Sequence, residues 1–445
     1  IDGTLTVSAA GQTVTLDGGG NDVTGNVTLT GAAVTLVDTT ATAIAGITAT
    51  GALSVQAGGA ITQSGAIDAD STSSFTAGAN AITLTQGGND FTGAVSLSNS
   101  GTNNVALTDA NALDLGTVAV GQNLTITATG GALTDSGAVT VAGLATIVST
   151  GQTVTLGDST TANFGSLDFA GAAVTITEGS AMAVAASEAT GALALVANGA
   201  ITQSGAIDAD STSSFTAGAN AITLTQGGND FTGAVSLSNS GSNNVGVTDA
   251  NAIDLGTVGV GQNLAVTASG AITDTGVATV AGTSTFDNSG GSNAAIDLGS
   301  ASTYTGNVTF TTDAGSNVTI NDSTAFVVQS GLNVNNLNLT AGGTVTDAGN
   351  IDIDGTLTVS AAGQTVTLDG GGNDVTGNVT LTGAAVTLVD TTATAIAGIT
   401  ATGALSVQAG GAITQSGAID ADSTSSFTAG ANAITLTQGG NDFTG

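Results

Sequence analysis

Six residue types are missing from this 445-residue chain: Lys, Arg, His, Pro, Cys and Trp. Without His, Lys or Cys, the commonest general bases and two of the main nucleophiles are absent. No Ser-His-Asp or Cys-His arrangement can be built. Zinc sites draw on Cys and His, so those are not expected either. Nucleic-acid binding needs cations to neutralise phosphates, and an anionic membrane surface would repel a chain with 33 acidic groups and no basic ones. No disulfide can form, so cysteine usage says nothing about redox compartment. The absence of Pro is itself informative, because Pro would remove hydrogen bonds from stacked parallel strands.

What is present argues against disorder. Hydrophobic residues make up 41% of the chain and are strongly patterned as Val, Ile and Leu. Aromatics are only 3%, so any core must be thin and aliphatic. No stretch approaches the ~18 consecutive apolar residues of a membrane span. The opening Ile1-Asp2-Gly3-Thr4 lacks the basic region of a signal peptide. Either such a segment was removed or the chain is an interior piece of a longer protein, and an incomplete second tandem copy at residues 353–445 makes the interior piece the expectation.

Repetition occurs at three levels. Residues 353–445 copy residues 1–93 without a change, a tandem period of 352. Residues 201–241 copy residues 61–101, an offset of 140. A finer signature, aromatic-or-Val then Thr-Gly, recurs at Val23, Phe91, Phe231, Tyr304, Val375 and Phe443, and in degenerate form at Phe164-Gly165. Its intervals of 68, 73, 67, 73, 71 and 68 define a unit of roughly 70. Five of these seven copies follow Gly-Asn-Asp, as in Gly88-Asn89-Asp90.

Within each unit, short runs alternate an aliphatic with Thr or Ser: Leu5/Val7, Val14/Leu16, Val27/Leu29, Val34/Leu36, Ile82/Leu84 and Leu124/Ile126. Period two with β-branched residues is strand patterning, one face apolar and the other hydroxylated. Gly, Asn, Asp and Ser between the runs supply turns. The expected fold is all-β, a parallel β-solenoid (β-helix) of about 23 residues per coil, continuous over residues 1–445.

Segments such as Gly51-Ala52-Leu53-Ser54-Val55-Gln56-Ala57-Gly58-Gly59-Ala60-Ile61-Thr62-Gln63-Ser64-Gly65 resemble the shaft repeats of filamentous-haemagglutinin-like exoproteins. Phe91-Thr92-Gly93-Ala94-Val95 and Gly121-Gln122-Asn123-Leu124-Thr125-Ile126 fit the same pattern. The resemblance implies a right-handed parallel β-helix, export by a two-partner route, and a place at the bacterial cell surface or outside the cell. The family's secretion domain is not among these residues, and the lack of Lys and Arg departs from the family's composition.

Several features carry a functional reading beside a plainer one. The Asp of the Gly-Asn-Asp signature (Asp22, Asp90, Asp230, Asp374 and Asp442) is an oxygen ligand of the kind that suits calcium, and equally a normal tight-turn residue; the turn is the plainer reading. Asp68/Asp70, Asp208/Asp210, Asp352/Asp354 and Asp420/Asp422 each place two carboxylates on one strand face, as a glycosidase would need. They recur with the repeat, whereas an active site is normally unique, so a solvated face is the plainer reading. The Thr rows (Thr4/Thr6, Thr13/Thr15, Thr28/Thr30) follow from β-propensity, and an ice- or carbohydrate-binding array is the sharper alternative. The recurring Phe is read as a core plug.

The expected role is that of a structural extracellular repeat protein: a rigid fibre, stalk or adhesin shaft that self-associates into filaments or bundles. Chains carrying only negative charge repel one another, and divalent cations would screen or bridge them. The alternatives are an adhesin whose outer face binds cell-surface glycans and, from another class, a carbohydrate-active β-helix enzyme. No catalytic residue, no bound cofactor other than calcium, no nucleic-acid partner and no direct membrane insertion are expected.

Overall fold

The computed structural model describes residues 1–158 and 160–444. No described residue is helical, and no helix long and apolar enough to cross a membrane occurs among them. The chain divides into two compact units, Ile1–Gly218 and Ala219–Gly445. In both, parallel strands stack as the turns of a β-solenoid.

The six alternating runs named from sequence all form strands, from Leu5–Ser8 and Val14–Leu16 to Leu124–Ala128. Alternation places every second side chain inside: Leu53–Ala57 reads buried, exposed, buried, exposed, buried. In-register pairing then stacks like on like. Val34 sits on Leu53 and Leu36 on Val55 inside, while Thr35 meets Ser54 outside. The hydroxyl face is thus a by-product of the pleat, and Thr rows such as Thr134, Thr155 and Thr175 follow it from turn to turn.

At roughly 20 residues, the turn is shorter than the coil of about 23 read from sequence. The longer spacing does occur where a larger loop intervenes, as between Ile82 and Val105, but the step from Thr28 to its partner Gly46 is much shorter. One ladder in the first unit shows the consequence. Its strands run from Val27 through Ile44, then from Thr42 through Ile61, Ile82, Val105, Leu124 and Ala145 to Leu167. Those seven steps carry the ladder from Val27 to Leu167, the same offset that separates residues 61–101 from their copy at 201–241. That repeat is therefore seven whole turns. The finer repeat is half as long, about three and a half turns. Val95, which follows Thr-Gly as Val27 does, therefore stands on a different ladder, paired with Ser73 and Leu115.

The core is the aliphatic column foreseen from composition, with aromatic plugs at intervals. Phe75, Phe91, Phe215 and Phe231 are at most 1% exposed. Phe75 and Phe91 meet edge to face with centroids 6.0 Å apart.

Candidate functional site

The Gly-Asn-Asp signature separates into two residues with opposite roles. Asn89 is fully buried and ties successive turns together. Its Nδ2 donates to the carbonyls of Leu84 and Thr108 and to Gln63 Oε1, at 2.9–3.1 Å. Its Oδ1 accepts from Ile67 N and Gln63 Nε2. Asn229 repeats the carbonyl contacts with Leu224 and Thr248. Asn373 keeps the contact to a backbone N–H, that of Ile351, but pairs with Asp347 where Asn89 has Gln63.

The neighbouring Asp points the other way. Asp90 alternates with the buried Phe91, so its carboxylate faces outward, and it stands in register over Asp68. Asp374 stands over Asp352, Asp442 over Asp420, and Glu188 over Asp208. The structure thus joins two candidates that the sequence listed apart, the signature Asp and the first Asp of each i, i+2 pair. Carboxylates on adjacent rungs lie about 4.8 Å apart along the ladder. Burial pushes the Asp352 carboxyl up, and the negative charges of Asp354 and Asp374 add to the effect. Asp22 and Asp374 each accept a hydroxyl, from Thr40 at 3.0 Å and Thr392 at 2.9 Å. Asp230 lies in the short strand Asp230–Phe231 with the same outward alternation. Among the described residues, no three Asp or Glu side chains are grouped as a metal site would group them.

A second set of acids went unnoticed in the sequence. Asp38, Asp109, Glu178, Asp249, Asp322 and Asp390 are at most 1% exposed, and they recur with the repeat. Each ends a strand with its carboxylate turned into the core. There it accepts the N–H of the signature residue in the preceding turn: Val23 for Asp38, Phe164 for Glu178, Phe231 for Asp249, Tyr304 for Asp322 and Val375 for Asp390, at 3.0–3.4 Å. Phe91 is held in the same way by Asp109. In the Asp members it also caps its own turn, as Asp322 Oδ1 does with the N–H of Thr324 at 3.0 Å. The sequence sign is an acid, a residue of any kind, then Thr, Asn or Ser, then Ala: Asp38-Thr39-Thr40-Ala41, Asp109-Ala110-Asn111-Ala112, Glu178-Gly179-Ser180-Ala181.

The six are not equally satisfied. Thr42 and Thr394 give a hydroxyl to the second oxygen of Asp38 and Asp390. Asp109 Oδ2, Glu178 Oε2 and Asp322 Oδ2 are buried with no hydrogen-bond partner among the described residues. Burial pushes the carboxyls of Asp109, Glu178, Asp249 and Asp322 up, and the hydrogen bonds they accept only partly offset it.

Comparison with known proteins gives one match. The model of a family described as repeats of unknown function (DUF5649) matches residues 1–30, 31–98, 102–167, 171–238, 242–312, 315–382 and 383–445. The chain belongs to that family. The internal matches are each about as long as the interval between signatures, so the family's unit is the one already visible in that spacing. Neither the curated proteins nor the solved structures returned a match.

Proposed function

We propose that this member of the repeat family is a structural extracellular protein, a rigid fibre, stalk or adhesin shaft. The observation that carries the reading is what the repeated polar residues do. Once per repeat, a buried carboxylate grips the backbone of the preceding turn, as Asp390 grips Val375. Asn89 clamps three segments at Ile67, Leu84 and Thr108. The repeated side-chain contacts serve to hold turns to one another, which is what a rigid element requires.

The outer surface supports self-association controlled by divalent cations. Stacked carboxylates such as Asp68 with Asp90 present like charges on adjacent rungs, with no Lys, Arg or His in the chain to balance them. Calcium bridging such rows between molecules would bring them side by side. The lack of Lys and Arg also leaves no site for trypsin-like proteases, which suits an extracellular material.

Electron microscopy of the purified chain with and without calcium tests this. Side-by-side bundles in calcium that disperse in chelator are the expected result. Bundles of the same size in both would remove the cation from the reading.

A further inference from the structure

In this repetitive chain, one repeat has a ladder interrupted within the core. In four repeats an eight-residue strand turns across the same position: Thr42–Ala49, Leu113–Val120, Ile253–Val260 and Thr394–Ala401. The sixth residue of each (Ile47, Val118, Val258 or Ile399) pairs with a leucine of the preceding turn: Leu29, Leu97, Leu237 or Leu381. Those leucines are fully buried.

The repeat between Tyr304 and Leu337 breaks this rule twice. Phe310 stands where the leucine belongs. Leu332, the buried residue just before the Asn333–Asp352 pair, takes the place of the Ile or Val one residue late, after an extra Gly331 at φ +83°; among the described residues it makes no ladder pair with Phe310. The glycine turns the backbone out of the strand. Only the short strands Phe326–Val328 and Asn333–Val334 remain, and separate sheets of six and three strands start from them. The strand Val308–Thr311 pairs with Ser284–Asp287 on one side and, among the described residues, has no ladder partner on the other.

A cavity of about 290 Å³, at the small end of ligand pockets, lies at this interruption. Its floor is Val308, Phe310 and Leu332, and its polar lining includes Thr312, Gln329 and Asn333. The Phe310 ring is half-buried and stacks on Phe286 at 6.0 Å and 22°, so the ring's other face is turned toward the next turn, where the cavity lies. Thr312 Oγ1 is buried with no hydrogen-bond partner among the described residues. No charged side chain is found among those lining the space, although the chain carries 33 acids.

We infer that this cavity binds a single uncharged sugar ring, a pyranose seated on the open face of Phe310. A pyranose has an apolar face for that ring and edge hydroxyls for Gln329 and Asn333. An anionic ligand would find no cation here, and a ligand much larger than one ring would not fit. The site lies within one repeat and is independent of the fibre reading.

Saturation-transfer NMR and calorimetry with methyl glycosides of glucose, galactose and mannose test it, using the intact chain. At least one should bind with a dissociation constant on the order of 1 mM, the range for so small a ligand. F310L installs the residue that four other repeats carry, so the fold should survive; binding should weaken about tenfold or more. Asn333→Ala removes an exposed polar group of the lining with the register unchanged, and it too should weaken binding. Melting curves on both variants check that the solenoid is intact. Absence of binding by all three glycosides overturns the inference, as does unchanged binding in both folded variants.

Discussion

Asp390 and Asp322 occupy the same place in two repeats of the second unit, and their surroundings differ by one hydroxyl. Both take a backbone N–H from the previous turn, from Val375 and Tyr304 respectively. Both cap their own turn, through Thr392 and Thr324. Four residues after Asp390 comes Thr394, which donates to its Oδ2 at 2.9 Å; four residues after Asp322 comes Phe326, which cannot. The Asp322 Oδ2 is left buried and unpartnered. A buried carboxylate can therefore be a cross-link with every oxygen used, or a cross-link that carries a desolvation penalty, and a single neighbouring residue decides which.

The largest effect should come from removing the better-satisfied acid. Asp390→Leu strips acceptors from two N–H groups and two hydroxyls in the core. A loss of about 3–5 kcal/mol is expected, with early hydrogen exchange at the Val375 amide. Asp322→Leu also relieves an unpaired oxygen, so its loss should be smaller. Equal losses measured by denaturant unfolding would erase the distinction.

Thr394→Val is a subtler test, since it keeps the shape and removes one hydroxyl. It turns the Asp390 site into a copy of the Asp322 site and should cost about 1–3 kcal/mol. A neutral outcome would show that the hydroxyl contributes nothing.

The smallest effect is a pH dependence. Asp109, Glu178, Asp249 and Asp322 have carboxyls raised in the fold above the ordinary 3.8 for Asp and 4.5 for Glu. The folded state then holds protons more tightly than the unfolded chain. Their favourable contribution is full below the ordinary value and is lost as pH rises through the raised one. Melting temperature should increase as pH is lowered from about 7 toward about 4. A steady fall over that range would contradict the assignment.

Much of this molecule was legible before any coordinates. The alternation in Val34/Leu36 or Ile82/Leu84 sets which face is buried, because a pleated strand has a period of two whatever lies beside it. Gly88-Asn89-Asp90 reads as turn chemistry, yet only Gly88 lies in the turn and Asp90 opens a short strand; the burial of Asn89 and its reach to Gln63 and Thr108 did not show. The turn length was overestimated because loops such as the one between Leu97 and Val105 lengthen some turns and not others. Asp38 and Glu178 looked like any other surface acids. Only the approach of Val23 or Phe164, 15 and 14 residues earlier, makes the core tolerate them.

From the sequence alone come the strand pattern, the three nested repeats, and the exclusion of chemistry that needs His, Cys or Lys. These follow from local geometry and from inventory, which need no knowledge of what packs where. Tertiary structure decided that the middle repeat makes seven whole turns, that acids such as Asp38 and Asp390 lie inside, and that a space opens beside Phe310. Each of those depends on which residue of the next turn lands on a given rung, and that is set by the summed lengths of loops around the coil, which no local pattern encodes.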